Sequence, residues 1–238
     1  MAVGGSDKLM AKRTYTLRAR ARRAAATRAR IAAAAVELHS TVGPALATIS
    51  AVAQRAGVQR HTVYAHFPDD VSLYRACVAH GIALWPLPDP RRWAHLDRAE
   101  ERLAHGLAEL YTYFKRTEQL WSNVTRDLPL LPGLQEANAP VFAHWDLMRS
   151  TLAAPWRAQG RRRRLVEALI GHFLALETWR SLVRVGQLSH RATIAVAIDV
   201  IASAARAGIS RATPLEVTRT DRVRHRAGTR SLDRSRRA

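Results

Sequence analysis

Residues 48–67 read TISAVAQRAGVQRHTVYAHF. Thr48 is a good N-cap for a short helix, and Gly57 supplies the left-handed residue that commonly ends one. Apolar residues at helical spacing give this helix one buried face: Ile49, Val52, Ala53 and Ala56. A second short helix is predicted over 59–67, ending before Pro68.

Two short helices joined by a sharp turn form a helix-turn-helix motif. The steep crossing requires a small side chain, here Ala53, and the turn requires a residue that tolerates a positive φ, here Gly57. Apolar anchors are expected to hold both helices: Val52, Ala56, Val58 and Val63. Because Ala and Gly often occur at this spacing by chance, the spacing alone is only moderate evidence for the motif. The residues on either side provide the further evidence.

Helices are predicted on both sides of the motif. Thr27 can cap a helix with an apolar stripe at Ile31, Ala34, Ala35 and Leu38, which ends before Gly43. Asp69 or Asp70 can cap another helix over 71–84. Three prolines within residues 86–90 then interrupt the helical pattern, so this stretch is the best candidate for a loop or domain boundary.

The rest of the chain also has helical character. Aromatic residues make up only 6% of the sequence and alanine is abundant, which favours helix over sheet. Further helices are predicted over 97–116, 119–128, 136–158, 161–185 and 189–208. We therefore expect an all-α protein of about nine helices, with a disordered basic arm over 1–24, an N-terminal helix-turn-helix domain over 25–85, a larger helical domain over 86–210 and a disordered basic tail over 211–238.

The formal net charge of the chain is +19, and most of it lies at the two ends. Residues 1–30 hold nine Lys and Arg against Asp7, and residues 211–238 hold nine Arg against three acidic residues. Such segments predict a polyanionic partner. Nucleic acid and an anionic membrane surface both fit, and merely solubilising tails are the remaining alternative.

Other features exclude several classes of protein. The lone Cys77 rules out an internal disulfide and is expected to pack in the core. The sequence lacks a signal peptide and any apolar stretch long enough to span a bilayer, so we expect a cytoplasmic protein without membrane association. It lacks hydrolase, phosphate-loop and zinc-ligand motifs, so no enzyme, cofactor or metal site is expected.

With its flanks, the pattern T-I-x-x-V-A-x-x-A-G-V-x-x-x-T-V-Y-x-H-F resembles the first-domain signature of the tetracycline-repressor (TetR) family. The resemblance extends from about residue 27 to residue 84. It implies a sequence-specific, DNA-binding transcription regulator, usually a repressor that a small molecule releases from a near-palindromic operator. It further implies that the larger domain binds the small molecule and forms a homodimer through helices at about 161–185 and 189–208.

In such a motif the second helix lies in the major groove and reads base edges with residues near its N-terminal end. The base-reading candidates are Gln59, Arg60, His61 and Thr62. By resemblance, the candidates for phosphate contacts are Thr48, Tyr64 and His66. Alternatively, Tyr64 packs under the first helix and His66 is only a solvated surface residue, whereas Val63 and Phe67 are assigned to the core.

Two positions depart from the family pattern. Members usually have Gly where this chain has His61, so an additional side chain is available to read a base or clamp a phosphate. Members usually have Lys at the start of the fourth helix, where this chain has Asp70, and an acid there repels the DNA backbone. The basic residues of the arm would follow the minor groove or the backbone beside the operator: Lys8, Lys12, Arg13, Arg18, Arg20, Arg22 and Arg23.

The larger domain offers only general indications of a ligand pocket. Seven aromatic or polar positions within otherwise apolar helices are candidates for lining it, with an ordinary core role as the alternative: Tyr111, Phe114, Trp121, His144, Trp145, His172 and Trp179. A non-specific or architectural DNA-binding protein, held by its basic ends alone, is the alternative function.

Overall fold

The computed structural model describes residues 4–207, and the side chains of residues 15–206. Within this range the chain forms nine α-helices and no strand: α1 (Gly4–Thr41), α2 (Ile49–Ala56), α3 (Arg60–His66), α4 (Asp70–Leu84), α5 (Ala99–Asp127), α6 (Pro132–Ala153), α7 (Gly160–Leu174), α8 (Leu176–Trp179) and α9 (His190–Ala207). The prediction of an all-α protein with an N-terminal helix-turn-helix is confirmed. The basic tail predicted over 211–238 lies outside the described residues.

Helix α1 begins much earlier than predicted, at Gly4 instead of near Thr27. Residues 4–24, for which the sequence predicts a disordered arm, are thus helical in this structure. This segment is rich in Ala, Arg, Lys and Leu, which are strong helix formers, and it has no proline. Its described side chains are almost all exposed, so it lacks the apolar stripe by which a helix is recognised in a sequence.

The N-terminal core forms where α2, α3 and α4 pack around the second half of α1. Its central buried side chains are Ile31, Val52, Val63, Phe67 and Leu73. An ion pair between Glu37 on α1 and Arg55 on α2 lies at its edge. Cys77 is buried in the same core, as expected, and burial raises the pKa of its thiol to about 12.

Helices of the larger part differ from the predicted boundaries in three places. The two helices predicted over 97–116 and 119–128 form one unbroken helix, α5. Within it, the Thr117 hydroxyl donates to the Tyr113 carbonyl. Helix α6 is shifted toward Pro132, which starts it. The helix predicted over 161–185 is interrupted at Ala175, whose ψ of 138° is extended, and residues 180–185 are π-helical.

The proline-rich stretch after α4 is packed against the larger part. Trp93 is buried, and its indole N–H donates to Glu109 on α5 across 3.2 Å. Arg102 on the same helix donates to the carbonyls of Ala94 and Leu96, at 2.6 and 2.8 Å. The described helices form one compact unit, so the division of the chain at residues 85–86 stays a prediction.

Helix α5 also holds the end of α1. The Asn123 side chain donates to the carbonyls of His39 and Ser40, each at 3.0 Å. The carboxylate of Asp127, only 2% exposed, accepts from the Ala45 backbone N–H at 2.9 Å. We call this set of contacts the α1–α5 junction; it joins the N-terminal helices to the larger part.

The junction contains a buried histidine that predicts a pH effect. Burial lowers the pKa of His39 from 6.5 to about 4, against an opposing influence of Asp127. As the pH falls, His39 is protonated in the unfolded chain before it is protonated in the folded chain. The free energy of unfolding is therefore highest above pH 6.5 and decreases as the pH falls toward 4. Between pH 7 and pH 5 the loss should be about 2 kcal/mol of unfolding free energy.

Urea denaturation at a series of pH values measures this effect. A His39→Phe variant should show a flatter dependence on pH, whereas His105→Phe, which changes an exposed histidine of α5, should keep the wild-type dependence. Equal slopes in wild type and His39→Phe would contradict the assignment.

Candidate nucleic-acid interface

The turn between α2 and α3 has the geometry that the sequence predicts. The Thr48 side chain accepts from the Ala51 N–H at 3.2 Å and caps α2. Gly57 is left-handed, with φ 64° and ψ 40°. Its N–H donates to the Gln54 carbonyl, and the N–H of Val58 donates to the Ala53 carbonyl at 3.0 Å. This pair of hydrogen bonds is a Schellman motif, which ends α2 and starts the turn.

The start of α3 is available for contact. Gln59 occupies its N-cap position without a side-chain capping bond, and Arg60 and His61 follow in its first turn. All three side chains are exposed and form no hydrogen bond or ion pair with another described residue, while Thr62 is half-buried. The structure therefore brings all four predicted base-reading residues to one end of one short helix.

The predicted phosphate contacts lie around the same helix. Thr48 is exposed at the start of α2, and His66 is half-buried at the end of α3. The Tyr64 side chain is 48% exposed, which argues against packing under α1. Val63 and Phe67 are buried, so their assignment to the core is confirmed. Asp70 is exposed at the first position of α4, where its charge is open to solvent.

The C-terminal end of α3 is fixed by a residue that sequence reasoning missed. Arg28 on α1 donates to the His66 carbonyl, and its guanidinium lies 4.1 Å from the centre of the Phe67 ring. The carbonyl end of a helix carries partial negative charge, which favours a cation there. Arg28 lies one turn before Ile31, but nothing in the local pattern indicates that the chain returns to it 38 residues later.

The described basic residues of α1 add positive charge to this part of the molecule. No acidic residue occurs between Asp7 and Glu37. The described exposed arginines on this segment are Arg18, Arg20, Arg22, Arg23, Arg28 and Arg30. At 1.5 Å per residue, the helix from residue 4 to residue 30 is about 40 Å long. This part of α1 is therefore a long and positively charged helix whose described side chains are mostly exposed.

The larger part contains a cavity of about 280 Å³ between α5, α6, α7 and α8. Three of the seven predicted pocket residues line it: Phe114, Trp121 and Trp145. Sequence reasoning missed the carboxylates beside them, Asp146 and Glu177, because an acid on a helix is usually only a solvated surface residue. Each follows closely on an aromatic or apolar residue that also faces the cavity.

The other four predicted pocket residues lie elsewhere. The Tyr111 hydroxyl donates to the Phe173 carbonyl at 3.2 Å, and the Trp179 indole donates to the His190 ring at 3.2 Å. Nε2 of His144 lies 2.7 Å from the Pro88 carbonyl. His172 is exposed near Thr178. The first two are core residues, and none of the four lines this cavity.

The described residues hold neither a cluster of metal ligands nor a membrane-spanning helix. In that part of the chain, no three His, Cys, Asp or Glu side chains come together as ligands for a metal ion. No helix there combines the length and the apolar character needed to cross a membrane.

Comparisons with known proteins point to one family. Residues 31–77, from α1 into α4, match a family described as bacterial regulatory proteins, tetR family. Among curated proteins, none matches the chain. The crystal structure of a TetR-like transcriptional regulator from Rhodococcus sp. RHA1 is similar in fold, with a TM-score of 0.51 and 17% sequence identity over 74% of this chain and 91% of that chain.

The left-handed turn predicts opposite effects for two similar substitutions. Gly57→Ala should destabilise the protein by about 1 kcal/mol, because a Cβ is strained at a positive φ even though no atom lies within 4 Å of it. Gly81→Ala, within α4 and equally free of neighbours, should instead stabilise the protein by about 0.5 kcal/mol. Chemical denaturation compares the two, and effects of the same sign would refute this account of the turn.

Proposed function

We propose that the chain, which belongs to the TetR family of DNA-binding transcription regulators, binds a near-palindromic operator as a homodimer and represses transcription until a small molecule binds its larger helical part. The exposed start of α3 is the observation that carries this proposal. A regulator of this kind acts on chromosomal DNA, so we place it in the cytoplasm.

Specificity is assigned to the first turn of α3. A recognition helix inserts its N-terminal end into the major groove, where Gln pairs best with adenine and Arg with guanine. Gln59 and Arg60 have free side chains at that end, and His61 extends the surface that faces the bases. Val63, Phe67 and Arg28 hold the helix that carries these side chains against the core.

Phosphate contacts are assigned to the residues around α3. The Thr48 hydroxyl accepts the Ala51 N–H as a cap, which leaves its own hydrogen free to donate to a phosphate oxygen. The exposure of Tyr64 and the partial exposure of His66 support the same role for them.

The basic segment of α1 is assigned to the DNA backbone. An α-helix with its side chains is about 10–12 Å wide, whereas the minor groove of B-DNA is about 6 Å wide. A helical segment is therefore too thick to follow the minor groove as an extended arm would. Contact with phosphates beside the operator increases affinity and contributes little to sequence preference.

The dimer is assigned to α7 and α9, which pack on each other. Their outer side carries two half-buried leucines and two exposed valines, with Asp199 and Ser203 beside them: Leu165, Leu169, Val196 and Val200. Pairing with a second copy would bury this surface in a four-helix interface. Such a dimer places its two recognition helices about 34–36 Å apart, one turn of DNA.

The α1–α5 junction supports control by a ligand. Helix α5 carries Trp121 and Thr125 to the cavity, and Asn123 and Asp127 to the junction, within two helical turns. A ligand that displaces this part of α5 would also displace α1 and the loop before α2.

Selection from random DNA duplexes at moderate salt tests the operator. We expect recovery of a near-palindromic motif with half-sites one turn apart. Arg60→Ala should relax the preference at one base position, by about 1–3 kcal/mol. Joint replacement of Arg22 and Arg23 by Ala should weaken all duplexes equally and reduce the salt slope by about 2.

Two results would contradict this proposal. Recovery of no palindromic motif would favour an architectural protein that binds DNA through its basic segments alone. Equal weakening of every sequence by Arg60→Ala would refute its role in base reading.

Sedimentation at micromolar concentration tests the dimer. Wild type should sediment as a dimer, and Val200→Asp should shift it to monomer, because a carboxylate would be buried in an apolar interface. Val42→Asp is the matched control, since Val42 and Val200 are both 41% exposed and Val42 lies outside α7 and α9. A monomeric wild-type protein, or equal effects of the two variants, would contradict the proposed interface.

A further inference from the structure

The cavity between α5, α6, α7 and α8 has a wall of aromatic rings: Phe114, Trp121, Phe142 and Trp145. The ring centres of Phe114 and Trp145 are 6.1 Å apart, and those of Trp121 and Trp145 are 6.2 Å apart. The Trp121 indole is held by a 2.7 Å hydrogen bond to the Tyr113 hydroxyl. Three of the rings thus form a connected cluster, and Phe142 remains 37% exposed at its edge.

The charged groups that line this cavity have an excess of negative charge. Asp146 and Glu177 contribute carboxylates, and Arg149 contributes the single guanidinium. Arg149 donates to Asp146 at 2.9 Å, so these two charges balance. The side chain of Glu177, an exposed residue, makes no hydrogen bond or ion pair with any described residue. One free carboxylate therefore faces the cavity of a chain that carries a net charge of +19.

The hydrogen-bond donors of this cavity are partly engaged. The Thr125 hydroxyl already donates to the Trp121 carbonyl at 2.7 Å, and the Arg149 guanidinium directs one of its N–H groups to Asp146. The remaining lining is apolar: Gly171, Leu174, Ala175 and Leu176. An anion here would meet the free Glu177 carboxylate and a guanidinium whose charge Asp146 already balances.

We infer that this cavity binds a small organic cation that also carries an aromatic or bulky apolar group. Aromatic faces attract cations through their quadrupole, and an unpaired carboxylate adds Coulombic attraction. The volume of about 280 Å³ lies at the lower end of ligand pockets, which favours a compact molecule. The inference rests on the proposed function for its biological meaning, because it names the class of molecule to which the regulator responds.

Calorimetry on the protein without DNA tests the inference with three probes of similar shape. Benzyltrimethylammonium is the cation, neopentylbenzene is its neutral carbon isostere, and phenylmethanesulfonate is the anion. The cation should bind at least about tenfold more tightly than the anion. Equal or tighter binding of the anion would overturn the inference.

Variants identify the groups responsible. Glu177→Gln should weaken the cation about fivefold and change binding of the neutral isostere less than about twofold. Phe142→Leu keeps an apolar side chain and should weaken the cation about threefold. Glu101→Gln makes the same change of charge at an exposed site of α5 outside the cavity and should leave both affinities unchanged. Equal effects of Glu177→Gln and Glu101→Gln would show that only overall charge matters and would overturn the site.

The outcome is separable from that of the duplex selection. A palindromic motif together with no binding of the cation overturns this inference and leaves the operator proposal intact. Binding of the cation that depends on Glu177, without any release of the selected duplex, supports the ligand class and contradicts ligand-controlled repression.

Discussion

A helix leaves its last carbonyl groups without partners in its own backbone, and at the end of α1 these groups are met by α5. Asn123 donates to the carbonyls of His39 and Ser40, and Arg126 donates to that of Val42. Asp127 completes the junction through the Ala45 N–H. Because buried carbonyl groups without partners would be costly, α1 and α5 are held in one arrangement, and the position of α3 depends on it.

The same helix α5 brings the junction and the cavity close together. Trp121 lines the aromatic cavity and also a small buried space that contains His39 and Tyr74. An indole held by the Tyr113 hydroxyl has little room to move independently of α5. A molecule that pushes on this ring therefore acts on the helix that holds α1. This arrangement is a physical reason to expect coupling between ligand and DNA in this chain.

Features that depend on neighbours in sequence were predictable, and features that depend on distant contacts were not. The Thr48 cap, the left-handed Gly57 and the buried Val63 all follow from residues a few positions apart. By contrast, Arg28 reaches the end of α3 only because the chain folds back. The helical start of α1 was missed because an exposed helix has no apolar stripe. Glu177 could not be recognised as a cavity residue from the sequence, because the aromatic rings beside its carboxylate come from other helices.

Among the N-terminal helices, α1 carries exposed positive charge and the start of α4 carries a negative charge. This distribution is compatible with the two positions at which the chain departs from the family pattern. At the start of α4, Asp70 stands where the family usually has Lys, and its charge would repel a DNA backbone. The exposed arginines of α1 supply far more positive charge than that one position removes. In the proposed complex, phosphate contacts from α1 would not depend on sequence, whereas α3 would read bases with few charged side chains. Affinity would then come mainly from α1 and specificity from α3. Because α1 would provide the attraction to the DNA backbone, His61 could contact a base instead of a phosphate.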